Sequence, residues 1–146
     1  MSAARKLFTD AEKDAIVSAI MEAEKNTSGE IRVHIESSFK GDVLDQAAFV
    51  FDKLKMLETE QQNGVLFYLA AKNRAFAILG DSGINAKVPE NFWEDVKSTM
   101  QEKFQAGEMA QGLIEGLRMA GQKLKEHFPY QKDDVNELPD DISFGK

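Results

Sequence analysis

Cysteine is absent from the 146-residue chain. That excludes a disulfide framework, a thiolate zinc site and a cysteine nucleophile. No apolar run approaches the ~18 residues that cross a bilayer, so no membrane span and no membrane partner are expected. The opening residues, Met1-Ser2-Ala3-Ala4-Arg5-Lys6, lead into an amphipathic helical pattern rather than an apolar stretch, so the expectation is a cytoplasmic protein without a secretory leader. Positive charge is in deficit: 18 Lys and Arg stand against 25 Asp and Glu, for a formal net charge of −7. An acidic chain without a Lys/Arg run repels phosphate backbones, which argues against nucleic acid as a partner. The spacing of an EF-hand loop is missing too, so no particular metal is encoded.

What the chain does contain is one set of alternating helix and strand patterns, enough for a single core. Thr9 and Glu12 have the spacing of a capping box, and Ala15, Ile16, Ala19, Ile20 and Ala23 then recur at helical intervals. Asn26-Thr27-Ser28-Gly29 breaks that helix. In Glu30-Ile31-Arg32-Val33-His34-Ile35-Glu36 polar and apolar residues alternate, which predicts a strand with one buried face. Val43 to Leu54 reads as a second helix. Val65 to Ala70 is apolar on both faces, the mark of a central strand, and Ala75 to Leu79 follows after a short turn as an antiparallel partner. Two helices close the domain: one places Pro89 in its first turn and presents Phe92, Trp93, Val96, Met100 and Phe104; the other presents Met109, Leu113, Leu117, Ala120 and Leu124. The fold class is therefore α/β: a three-layer α/β/α sandwich with a small mixed sheet, a β-α-β-β core, flanked by helices. Residues 1–130 form the domain, and residues 131–146 read as an acidic, extended or partly disordered tail.

This topology predicts a site. The first two strands, joined by a helix, should run parallel, and the third should return antiparallel. The Gly80-Asp81-Ser82-Gly83 loop then lies beside the entries of the other strands, at Ser28-Gly29-Glu30 and Gln62-Asn63-Gly64. Loops held at one end of a rigid sheet are common places for sites.

Thr27-Ser28-Gly29-Glu30-Ile31-Arg32-Val33, Asn63-Gly64-Val65-Leu66, Gly80-Asp81-Ser82-Gly83-Ile84, and Phe104 with Gly107, in that order and spacing, resemble the TPM domain family. The family is also called the TPM phosphatase family and includes thylakoid-lumen and photosystem II repair proteins. The resemblance spans roughly residues 7 to 128. It implies an α/β/α sandwich, with acid phosphatase activity in some members and calcium near the same loops. Many relatives carry a signal peptide, a Gly-rich segment and a membrane anchor, none of which is read here. Relatives often have a basic residue where this chain has Gln62, a departure that weakens phosphate capture.

Two functions follow as expectations. The first is a binding or regulatory module. Asp81, Glu30 and Asn85 would supply oxygens to a divalent cation, calcium or magnesium, and Ser28, Gly29, Asn63, Gly64, Gly80, Ser82 and Gly83 would form the binding loops. The second is a metal-assisted acid phosphatase acting on phosphomonoesters. Against these stand plainer readings. Asp81 after glycine is common turn chemistry, and Glu30 can be a solvated edge carboxylate paired with Arg32. His34, alone on its strand face, is read as structural, and His127 suits a helix C-terminus. Gly80-Asp81-Ser82-Gly83 echoes the nucleophile segment of trypsin-like proteases, but those need two barrels and an upstream His-Asp pair. Gly112, Gly116 and Ala120 predict close helix packing in the core. The mixed acidic and apolar residues 136–144 fit either a docking peptide for a protein partner or a loose end lying over the surface.

Overall fold

The computed structural model describes residues 2–130 and 141–145. In chain order, helix α1 (Ala3–Lys6) and α2 (Asp10–Glu24) precede strand β1 (Glu30–Glu36). Helix α3 (Val43–Lys53) and a 3₁₀ turn (Met56–Glu58) lead to β2 (Gly64–Ala70) and β3 (Ala75–Gly80). Then come α4 (Ser82–Asn85), α5 (Phe92–Gln105), α6 (Met109–His127) and β4 (Ser143–Phe144). The capping box forms as expected: the Thr9 amide donates to Glu12 Oε1 at 2.9 Å, and the Glu12 amide donates to Thr9 Oγ1 at 3.1 Å.

The described strands form a four-stranded sheet in the order β3-β2-β1-β4. β1 is parallel to β2 and to β4, and β3 is antiparallel to β2. One face carries Ile31, Val33, Ile35, Val65, Phe67 and Leu69 against α2, α5 and α6. The other carries Leu66, Tyr68, Ala70 and Ala77 against α3 and Met56. This is the three-layer α/β/α sandwich. Burying a side chain of the size of Phe67 or Ile31 contributes roughly 1.5–3 kcal/mol, so the two layers supply most of the driving force. The α6 small-residue stripe packs in the core, with Gly112 against Phe104 and Gly116 against Met100 and Phe67.

Four expectations are corrected. Glu30, Arg32 and His34 do not face water: they are only 2%, 8% and 5% exposed. Their face of β1 is buried as well, so the alternation separates two buried faces rather than core from solvent. β1 is also not the edge strand, because β4 pairs beside it at His34 and Ile35, toward the end opposite Glu30. β4 lies in the C-terminal segment 131–146, of which residues 131–140 and 146 lie outside the described residues. Pro89 precedes α5 rather than opening it, its carbonyl accepting from the Phe92 amide at 3.0 Å. Finally, Gly80-Asp81-Ser82-Gly83 is not all loop: a one-turn helix starts at Ser82, with Asp81 as its N-cap.

Candidate functional site

The strand register brings the three predicted segments together. Glu30 pairs with Gly64 and Val65 with Gly80, and the Asp81 amide donates to the Gly64 carbonyl at 2.9 Å. Glu30, Gly64 and Asp81 therefore stand side by side across three strands, on the α3 face of the sheet. Two strand spacings separate the backbones of Glu30 and Asp81, roughly 10 Å. Ser28 joins the rim through its hydroxyl, which accepts from Gln61 Nε2 at 3.0 Å and Asn63 Nδ2 at 3.3 Å. The Glu30 amide meets the Asn63 carbonyl at 3.4 Å. Gly29 packs beneath the Leu124 side chain, so its small size serves the α6 contact.

The link between the second and third segments runs through Gln62, which the sequence places at the entry of the second strand and which stands where relatives often have a basic residue. Its backbone is left-handed, with φ 53°. Its carbonyl accepts from the Gly83 amide at 2.8 Å and the Ile84 amide at 3.3 Å, and its side-chain Oε1 accepts from the Ser82 hydroxyl at 2.6 Å. The Ser82 amide donates to Asp81 Oδ1 at 2.7 Å. The amides of Ser82, Gly83 and Ile84, which would have cradled a phosphate at this loop, are thus already engaged. Asn85 faces away from the rim: its Nδ2 donates to the Gly80 carbonyl at 2.8 Å, and its Oδ1 accepts from Trp93 Nε1 at 2.7 Å.

Asp81 is 9% exposed, and its Oδ2 is buried without a hydrogen-bond partner among the described residues. Buried polar atoms of this kind are rare and call for a ligand, an ion or water. The residue also lines a cavity of 260 Å³, together with Ala48, Phe51, Asp52, Leu57, Leu79 and Gly80. Among the described residues no group of three or more His, Cys, Asp and Glu is arranged to hold a metal.

The profile of the TPM domain family matches residues 2–123. The chain belongs to the TPM domain family. A comparison with curated proteins finds no match. Among solved structures, the chain is similar to the BA42 protein of the psychrophilic bacterium Bizionia argentinensis, at 49% identity over 94% of this chain and 95% of that one, with a TM-score of 0.87. It also shares its fold with the N-terminal domain of a protein from P. gingivalis, at 20% identity over 86% and 83% of the two chains and a TM-score of 0.69. A third likeness of fold is to the N-terminal domain of cg2496 from Corynebacterium glutamicum, at 14% identity over 89% and 81%, with a TM-score of 0.65. No helix among the described residues of this TPM domain is long and apolar enough to cross a membrane.

At the other end of β1 the TPM domain holds a second polar network. Glu36 Oε1 accepts from the Tyr68 hydroxyl at 2.6 Å and from Gln46 Nε2 at 2.9 Å. Its Oε2 lies 3.2 Å from His34 Nε2, and His34 Nδ1 lies 2.8 Å from Ser143 Oγ. The Tyr68 ring stacks on His34. Sequence reading treated His34 as isolated; the signal for the network was the i, i+2 spacing of His34 and Glu36 on one strand face. Burial pushes the His34 pKa down, with Arg32 and Lys53 acting the same way, and this outweighs the upward pull of Glu36. Burial pushes Glu36 up, but hydrogen bonds from Tyr68, Gln46 and His34 bring it below its ordinary value. Burial, then Glu36, raises Tyr68.

These shifts have one sign in acid. Folded His34 and Glu36 each bind protons less readily than in the unfolded chain, so stability rises with pH across their range. The His34 contribution is present above the ordinary histidine pKa of about 6.5 and is lost as pH falls through its lower folded value. The Glu36 contribution is lost further down, through the carboxylate range. Thermal unfolding from pH 8 to pH 4 should therefore show a falling melting temperature. The upper part of that fall disappears in His34→Gln.

Proposed function

We propose that this TPM domain is a binding or regulatory module that takes up a divalent cation, calcium or magnesium, at the Gly80-Asp81 loop. The observation that carries this reading is the buried Asp81 Oδ2 atom, which lacks a hydrogen-bond partner among the described residues and belongs to a residue lining a cavity. A buried carboxylate is stabilised by a nearby positive charge, and hard cations prefer such oxygens. Glu30 is the second candidate ligand, on the same sheet face across Gly64. Asn85 can contribute its oxygen only by releasing Trp93. With so few carboxylates, backbone oxygens and water would complete the shell, which favours a dissociation constant of roughly 10⁻⁴–10⁻³ M.

A module is favoured over a metal-assisted acid phosphatase because the loop amides are engaged within the rim. The test is hydrolysis of a phosphomonoester such as p-nitrophenyl phosphate, with and without calcium or magnesium. The expected result is a rate at background under both conditions. Cation-dependent hydrolysis that disappears in Asp81→Ala would overturn the module and establish the phosphatase.

A further inference from the structure

β4 pairs with β1 through only two positions, His34 with Ser143 and Ile35 with Phe144, extended by the Gly145 amide donating to the Ile35 carbonyl at 2.9 Å. So short a pairing holds little by its backbone alone. Yet each residue of the segment meets a different feature of the domain. Ile142 is 8% exposed and joins the core. Ser143 Oγ lies 2.8 Å from His34 Nδ1. The Phe144 ring carries the Arg5 guanidinium at 4.6 Å and the Lys13 ammonium at 5.4 Å. At position 145 a Cβ would stand 2.7 Å from Glu36 Cγ and Oε2 and 2.9 Å from His34 Nε2, so a side chain there requires Glu36 or His34 to shift out of their network.

We propose that this edge of β1 is a strand-docking site for an extended peptide bearing a hydroxyl residue, an aromatic residue and a glycine in succession, and that Ser143-Phe144-Gly145 is its resident occupant. The reading groups, Arg5, Lys13, His34 and Glu36, lie in or beside α1, α2 and β1, apart from the segment they hold. The same pattern offered by another chain meets the same groups, which is how strand addition gains specificity from alternate side chains. The tethered segment competes at an effective concentration on the order of millimolar, so an outside peptide binds weakly until the segment is displaced. The site is about 20 Å along β1 from the Asp81 rim and stands independently of the cation reading.

The test uses the full chain and a labelled peptide of residues 140–146, Asp-Asp-Ile-Ser-Phe-Gly-Lys. Gly145→Val expels the resident segment by the clash at Glu36; Phe144→Ala removes its cation-held ring from a half-buried position, outside the fully buried core. Backbone amide NMR spectra establish that each variant is folded, and fluorescence anisotropy reads peptide binding. Both variants should bind the peptide at least ~10-fold tighter than the unmodified protein, with amide shifts centred on His34 to Glu36. Arg5→Ala in the Gly145→Val background should weaken binding roughly two- to five-fold, as expected for one exposed cation–π contact. The proposal is overturned if a folded variant binds no tighter than the unmodified protein. It is equally overturned if a peptide with alanine in place of the phenylalanine binds as well.

Discussion

Gly83→Ala should destabilise the protein nearly as much as Gly83→Val, because the first side-chain carbon already makes the clash. A Cβ at Gly83 would stand 2.2 Å from the Gln61 carbonyl oxygen and 2.6 Å from that of Gln62. Both are backbone atoms in a turn that Gln62 already holds in a left-handed conformation, so no side chain can rotate aside. Either α4 or the turn before β2 must move. Movement breaks the Gly83 and Ile84 bonds to the Gln62 carbonyl and draws Ser82 away from Gln62 Oε1. Overpacking costs of ~1–3 kcal/mol combine with three lost hydrogen bonds of about 1 kcal/mol each, for a total of roughly 4–6 kcal/mol. Thermal unfolding of the two variants should show similar drops, on the order of 10 °C. A much smaller loss in Gly83→Ala would mean that the rim is not packed backbone against backbone.

Glu36→Ala should also cost several kcal/mol, at the opposite end of β1, roughly 3 kcal/mol in all. The carboxylate accepts from Tyr68 and Gln46 and faces His34, and its side chain is only 13% exposed. Its removal leaves the Tyr68 hydroxyl in a buried site without its acceptor, and a stranded buried donor costs ~1–3 kcal/mol. Loss of the Gln46 and His34 contacts brings the total to about 3 kcal/mol. Tyr68→Phe removes one donor and leaves the carboxylate its other two, so its cost should be nearer 1 kcal/mol. Urea unfolding measures both, the midpoint falling while the slope stays constant. The double variant should lose less than the sum of the singles, because the two side chains share one bond.

Much of the architecture was legible in the residues. The Thr9–Glu12 box, the two-sided apolar run of β2 and the short turn into β3 are local signals, and from them the convergence of Ser28-Gly29, Asn63-Gly64 and Gly80-Asp81 followed by topology. What escaped depended on long-range placement. Alternation in β1 distinguishes two faces but cannot distinguish water from a second buried layer, so Glu30 read as solvated although it, Arg32 and His34 are all buried. β4 pairs through two residues and leaves no strand-length pattern; its position rests on the Arg5 and Lys13 contacts to Phe144 and on the fit of Gly145 over Glu36. Gln62 was judged by the charge it lacks, whereas its role comes from a backbone carbonyl and a left-handed φ. Asn85 looked like an oxygen ligand by its nearness in sequence to Asp81, yet one helical turn carries it to Trp93.

Asp81 acts as the cap of α4, and its second oxygen motivates the cation site. Asparagine retains capping ability while removing the charge, so Asp81→Asn separates the two roles. The most direct measurement is a calcium titration of isotope-labelled protein followed by backbone amide NMR, in the unmodified chain and in Asp81→Asn. Saturable shifts are expected at Ser28 to Glu30, Asn63 to Gly64 and Gly80 to Gly83, with a dissociation constant of roughly 10⁻⁴–10⁻³ M, and their loss in the variant. An unmodified protein with no saturable shift at this rim, or a variant that titrates identically, would contradict the cation site.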